Sequence, residues 1–234
     1  MSRCRKSDTR VSILSTNLND MKTLFVILLM IAGMTTMAQV FETDSFVTKD
    51  GKTVKITFIK HGSLMFEFDG KIMYVDPVSD YADYSTLPKA DVILITHEHA
   101  DHFDPKAIAD VEKKDTKIVI NASTREKLGK GEVMKNGDQL QVTPWLKVEA
   151  VPAYNTTVGR EIYHPKDRDN GYILTLGGMR IYVAGDTEDI PEMKNLKDIE
   201  IAFLPVNQPY TMTVAQADKA ARMFLPKVLY PYHY

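Results

Sequence analysis

Apolar and polar positions alternate along much of this chain, and the alternation predicts strands. Thr53–Lys60, Ser63–Phe68 and Lys71–Val75 follow one another in this way, with Asp69 and Gly70 forming a tight hairpin turn between the last two. Residues 91–96 break the alternation with a run of apolar positions, the mark of a strand buried on both faces. Asp104 and Pro105 then open a helix, aspartate as N-cap and proline in the first turn. Lys117–Ile120 reads as a strand, 124–128 as a short helix and 147–151 as a further strand. In the second half, 171–176 and 179–184 form a hairpin across Gly177 and Gly178, and 200–206 is another buried strand. Thr213 and Gln216 have capping-box spacing, so a helix runs from there to about Phe224, ahead of Pro226. Residues 227–231 give the last strand. Two strand-rich halves with helices outside predict two packed sheets flanked by helices, with a site along one edge.

Chemistry enters at the end of the apolar run 91–96. His97, Glu98, His99, Ala100, Asp101 and His102 follow it directly, placing three of the six histidines within six positions. In extended backbone alternate side chains share a face, so His97 and His99 can grip one ion together. Asp101 and His102 come where the chain turns and can face a second ion. Imidazole and carboxylate donors suit zinc, and also manganese or iron. The helical His-Glu-x-x-His motif of zinc proteases is excluded, because the residue four after His97 is Asp101 and the preceding run is β-branched.

His97, His99, Asp101 and His102 at the end of a hydrophobic strand resemble the signature of the metallo-β-lactamase superfamily. Other stretches agree in the same order. Tyr74 to Pro77 resembles the early strand whose aspartate, here Asp76, supports the metal loop from behind. Ile181 to Thr187 resembles the segment whose aspartate, here Asp186, bridges two metals. Tyr230 to His233 resembles the strand that delivers the last histidine ligand. Ile59 to Gly62 is similar to the branch that contains ascorbate-phosphate lactonases and N-acyl-phosphatidylethanolamine phospholipase D. The resemblance spans roughly residues 52–234.

It implies an α/β fold, the αββα sandwich of two mixed sheets flanked by helices. It also implies two divalent ions, with His97, His99 and one later histidine on the first, Asp101, His102 and His233 on the second, and Asp186 between them. Such a pair shares a hydroxide, since metal binding lowers the pKa of water from 15.7 toward ~7. The activity implied is hydrolysis of an ester, lactone, amide or phosphodiester, with Asp101 orienting the hydroxide. The later histidine is missing where the family supplies it: Tyr154 and Asn155 follow the strand 147–151 instead. His164, ten residues on, is the candidate replacement, the alternatives being a loop cap or a substrate contact. That gap also motivates a rival reading, a non-catalytic metal-binding or ligand-sensing module on the same fold. A di-iron redox protein is a second rival. The family normally continues past its last histidine, so a truncated C-terminus is expected here.

Other residues carry two readings each. His61 is either a support behind the ligands or an ordinary structural histidine, and Asp76 either supports the metal loop or shapes a turn. Tyr154 either donates to substrate or packs, and Asn155 is a candidate weak oxygen ligand. Arg160, Lys166 and Arg168 either meet an anionic group or belong to a solvated loop. Trp145 reads as core. Substrate choice is expected to rest with loops 77–90, 129–140 and 155–170.

Composition refines the setting. Residues 21–38 have the order of a secretory signal peptide: one lysine, an apolar stretch from Leu24 to Ala32, and small residues ending at Ala38. That apolar stretch is shorter than the ~20 residues that span a bilayer, so no stable membrane anchor is expected. Residues 1–20 read as an upstream extension, 39–51 as a lead-in and 52–234 as the hydrolase domain. Cleavage would remove the only cysteine, Cys4, and shift the net charge from −2 to −5, because 1–38 carries five basic and two acidic residues. An acidic chain without a Lys/Arg cluster excludes nucleic acid as a partner and leaves a small-molecule substrate. The expected compartment is the periplasm or the exterior. Oligomeric state is not legible.

Overall fold

The structure, a computed structural model, describes residues 39–234; the expected upstream extension and signal peptide lie outside the described residues. Residues Phe41–Tyr234 form one compact unit. Its first sheet has seven strands in chain order: β1 (Glu42–Val47), β2 (Thr53–Lys60), β3 (Ser63–Phe68), β4 (Lys71–Val75), β5 (Val92–Leu94), β6 (Lys117–Ile120) and β7 (Glu132–Val133). The second runs β13 (Val228–Tyr232), β12 (Ile201–Pro205), β11 (Met179–Val183), β10 (Asp169–Leu176), β9 (Leu146–Ala153) and β8 (Gln139–Thr143). β1 to β4 are antiparallel neighbours, whereas β4 to β7 and β11 to β13 run parallel.

Alternation decides which side chains meet. Val54, Ile56, Phe66, Met73, Val75, Val92 and Leu94 from the first sheet face Val148, Tyr172, Leu174, Ile181 and Phe203 from the second. The residues between them point outward. Tyr74, Ile93 and Ile95 bury under helix α1 (Pro105–Val111), and Tyr182, Ala202 and Leu204 bury under helix α3 (Val214–Phe224). The four layers are those of the expected αββα sandwich. Phe203 stands near the centre of the inner core, with ring centroids of Tyr230 at 5.3 Å and Phe58 at 6.1 Å. Truncating such a ring to alanine costs about 3–5 kcal/mol.

The helix boundaries follow their caps. Asp104 accepts from the Lys106 amide at 2.8 Å to start α1. Asn121 caps α2 (Ala122–Leu128), which ends at Gly129 in a left-handed turn. Thr213 and Gln216 form the full capping box of α3. Four strands differ from expectation. Residues 42–47 form an edge strand rather than a lead-in, Glu132–Val133 pairs with β6 inside the loop expected at 129–140, and Gln139–Thr143, which begins within that loop, pairs with β9. β5 ends at Leu94, two residues early, because the next two carbonyls leave the ladder for the opposite sheet. The Tyr172 hydroxyl donates to the Ile95 carbonyl at 2.8 Å, and the Asn170 amide to the Thr96 carbonyl at 3.1 Å.

Candidate metal centre

That early departure builds the site. β2, β4, β5, β11 and β13 all end at the same edge of the sandwich, and within three residues of each end comes a polar side chain: His61, Asp76, Thr96 at the start of the histidine loop, Asp186 after Gly185, and His233. Three of these hold left-handed backbones without being glycine, with φ of 55° at His61, 47° at Asp76 and 60° at His233. Left-handed backbone costs such residues free energy, and its clustering at one edge marks that edge as built for side-chain placement. Gly62 is required by proximity, since a Cβ there would meet His102 Cε1 at 2.7 Å. The His233 amide donates to the His61 carbonyl at 3.0 Å, tying the last strand to the first loop.

Behind the loop lies a buried hydrogen-bond chain. The Asp76 carboxylate accepts from the Thr96 amide at 2.8 Å, from the Thr96 hydroxyl at 2.6 Å and from His102 Nδ1 at 2.7 Å. Because the Thr96 hydroxyl donates to Asp76, it accepts from His97 Nδ1, which stands 3.0 Å away. One carboxylate therefore fixes the tautomer of two imidazoles, leaving the Nε2 lone pairs of His97 and His102 aimed into the site.

In front, two sets of donor atoms converge. His99 Nδ1 stands 3.1 Å from His97 Nε2 and 3.3 Å from His164 Nε2. Asp101 Oδ2 stands 3.2 Å from His61 Nε2, 3.4 Å from His233 Nε2 and 3.8 Å from His102 Nε2. Asp186 lies between the sets. Its Oδ1 is 3.2 Å from His102 Nε2, and its Oδ2 is 3.2 Å from His233, 3.3 Å from His164 and 4.0 Å from His97. His97, His99 and His164 form one group of mutually close donors, and His61, Asp101, His102 and His233 another.

The residues present fit divalent cations. His102 Nε2, both nitrogens of His233, His164 Nδ1 and Asp186 Oδ1 are buried without a hydrogen-bond partner among the described residues. Buried polar atoms are normally satisfied, so the orphans that face the site, His102 Nε2, His233 Nε2 and Asp186 Oδ1, call for a partner of another kind. Burial pulls His97 well below the ordinary imidazole range and takes His164 down to about 4 despite Asp186, so both favour the neutral form that ligates. Burial opposes charge on Asp186, yet the surrounding imidazoles, His102 foremost, hold its carboxyl below the usual range. Asp101 is held low against burial by His233 and His61. Burial would likewise lower His102, but Asp186 and Asp76 raise it, so binding an ion there displaces a proton.

The sequence-based candidates separate cleanly. His97, His99, Asp101, His102, His164, Asp186 and His233 are brought together, with Asp76 and His61 against them. His164 reaches the site because its loop closes on itself, the Asn155 amide donating to the His164 carbonyl at 2.9 Å. Tyr154 is the correction: its hydroxyl donates to Glu192 at 2.9 Å, so it does not offer a proton to substrate in this cleft. The Asn155 side-chain nitrogen donates to the Tyr210 carbonyl at 2.7 Å, while its Oδ1, the candidate oxygen donor, is buried without a hydrogen-bond partner among the described residues. Of the loops expected to choose substrate, 77–90 and 129–140 do not line the cleft. Its volume is about 270 Å³, and Tyr163, His164 and Tyr210 line it beside the ligand candidates. Thr96, Tyr163 and Tyr210 escaped the sequence reading. Thr96 adjoins the histidine motif and carries the hydroxyl that a support needs, whereas nothing in the sequence brings Tyr163 and Tyr210 together.

Comparison with known proteins gives the same architecture. The profile of the Beta-lactamase superfamily domain matches residues 55–233. A metal-dependent hydrolase of Thermus thermophilus is 31% identical over 194 residues, which cover 77% of this chain and 84% of the relative. A crystal structure of a presumed metal-dependent hydrolase from Parabacteroides distasonis is 69% identical, with a TM-score of 0.83 over 83% of this chain and 89% of that one. A metallo hydrolase from Ignicoccus hospitalis, named Igni18, is 26% identical with a TM-score of 0.63, covering 77% and 82% of the two chains.

Proposed function

Because the chain belongs to the metallo-β-lactamase superfamily, we infer that it is a metal-dependent hydrolase, and we propose that it works with two divalent ions, zinc being the choice that the donor set favours. The observation that carries this reading is the placement of Asp186, within 3.2–4.0 Å of imidazole nitrogens from both donor groups. His97, His99 and His164 would hold one ion, Asp101, His102 and His233 the other, with Asp186 shared. Ions so held supply Lewis acidity and lower the pKa of water at the site. The chain's own residues do the rest. Asp76 and Thr96 lock the imidazoles behind, and Asp186 offsets repulsion between the cations. Asp101, partly open to the cleft and kept ionised by its histidine neighbours, accepts a hydrogen bond from water and orients it. His164 faces the group whose missing histidine suggested a non-catalytic module, which removes the reason for that reading.

The substrate is a small molecule, in keeping with a cleft of about 270 Å³, and the family's chemistry points to an ester, lactone, amide or phosphodiester bond. Export follows from the pattern at 21–38, and cleavage after Ala38 would leave the compact unit Phe41–Tyr234 whole. N-terminal sequencing of the exported protein should begin at Gln39; a start at Met1 or Met21 contradicts it. For the activity, the zinc-loaded full chain is offered a nitrophenyl ester, a lactone, an amide and a bis-nitrophenyl phosphodiester. Turnover of at least one class should disappear with a chelator and return with zinc. Full metal occupancy with rates no higher than those of Asp186→Asn on every class would instead favour the binding module.

A further inference from the structure

The cleft above the donor groups has an asymmetric wall, and its composition points to a kind of substrate. Beside the carboxylates of Asp101 and Asp186 it is lined by two aromatic rings from different loops. Tyr163 and Tyr210 meet edge to face, with centroids 5.0 Å apart at 73°. Neither loop is free to swing. The Tyr163 carbonyl accepts from Arg168 at 2.8 Å, and the Tyr210 carbonyl accepts from Asn155 at 2.7 Å. The Glu188 carboxylate, buried beneath the first of these loops, accepts from the amides of Thr156 at 2.8 Å and Thr157 at 2.6 Å. The Thr211 hydroxyl accepts from the Asn207 amide at 2.8 Å and so closes the second. Tyr210 nevertheless remains 46% exposed, and the loop before Tyr163 leaves Val158 and Ile162 exposed as well. Aromatic and aliphatic surface left open beside a ligand cleft is surface that an apolar group can cover.

The cations near the cleft are all engaged. Arg160 is paired with the buried Glu188 at 3.4 Å, Lys166 with Glu192 at 3.3 Å, and Arg168 holds Asp169 through two bonds of 2.8 Å. No lysine or arginine is among the described residues that line the cleft. An anionic group on the substrate, other than the one that reacts, would lose its water there without a basic side chain to meet it. Resting on the hydrolase reading above, we propose that the substrate presents an aromatic or otherwise flat apolar group without a second anionic group beside its scissile bond, seated against the Tyr163–Tyr210 pair. These two residues would set specificity rather than perform the reaction.

Hydroxamates test this without requiring turnover, because they chelate metal through a common headgroup. On the zinc-loaded full chain, calorimetry should find benzohydroxamate bound at least about tenfold more tightly than acetohydroxamate. The ratio should collapse toward unity in Tyr163→Ala and Tyr210→Ala at unchanged zinc content, and survive in Tyr163→Phe and Tyr210→Phe, which keep the rings. Adding a para-carboxylate to benzohydroxamate should bring no gain. Equal binding of the two parent hydroxamates, or a ratio indifferent to both alanine variants, overturns the aromatic seat. A gain of more than tenfold from the carboxylate overturns the exclusion of a second anionic group. Failure of zinc-loaded protein to bind either hydroxamate would instead count against the metal centre itself.

Discussion

The two donor groups at the sandwich edge are built differently. The group around His102 and His233 is anchored in the fold: Asp76 bonds His102, and His233 is held by its own amide on His61 and packs tilted against the His61 ring at 3.7 Å between centroids. The group around His97 and His99 takes its third imidazole, His164, from a loop that Asn155 and Glu188 pin in place. Strand ends fix donors through the sheet ladder; a loop fixes a donor only as well as its own hydrogen bonds do. The group around His102 and His233 should therefore hold its ion more firmly than the group completed by His164.

Asp186→Asn should do the greatest damage, because it removes the one carboxylate shared by both groups. Metal analysis of the dialysed variant should show both ions weakened by at least about 100-fold, the upper range for losing even a supporting residue. Full occupancy of both would show that Asp186 is not shared. Asp76→Asn should be milder and one-sided. It weakens the bond to His102 Nδ1 and raises the dissociation constant of the anchored group by about 10–100-fold. Equal weakening of both ions would mean that Asp76 acts through Thr96 and His97 as strongly as through His102.

These contrasts explain what the sequence could and could not reveal. The strand-end ligand candidates were legible because His97, His99, Asp101 and His102 sit at fixed spacing behind a buried apolar run, and because Asp76, Asp186 and His233 follow strands that end at the same edge. The sandwich was legible for the same reason, since alternation dictates which face each residue presents. β1, β7 and β8 were not, because all three lie at sheet edges with no fully buried side chain to imprint a pattern. Tyr154 misled because its position in sequence fits the site while its hydroxyl is taken by Glu192. Tyr163 and Tyr210 are 47 positions apart, and only the folded loops bring them together.

The smallest effect concerns acid. In the metal-free protein His164 titrates near 4 because it is buried, against an ordinary value of 6.5. Between these values the unfolded chain binds a proton that the folded one does not, so folding stability falls as pH falls from 6.5 toward 4. The contribution of this one group is on the order of 1 kcal/mol per pH unit within that window, and nothing above it. Chelator-treated His164→Asn should show a shallower decline in melting temperature over the same window. Identical slopes for the two proteins would place His164 in water rather than in the cluster.

The account turns on two ions, one of them completed by a loop histidine. A crystal structure of the zinc-loaded protein, with anomalous data collected at the zinc edge, measures this directly. Two peaks should appear on either side of Asp186, one of them about 2.0–2.1 Å from His164 Nε2. A single peak, or two peaks with both His164 nitrogens well beyond coordination distance, would contradict it.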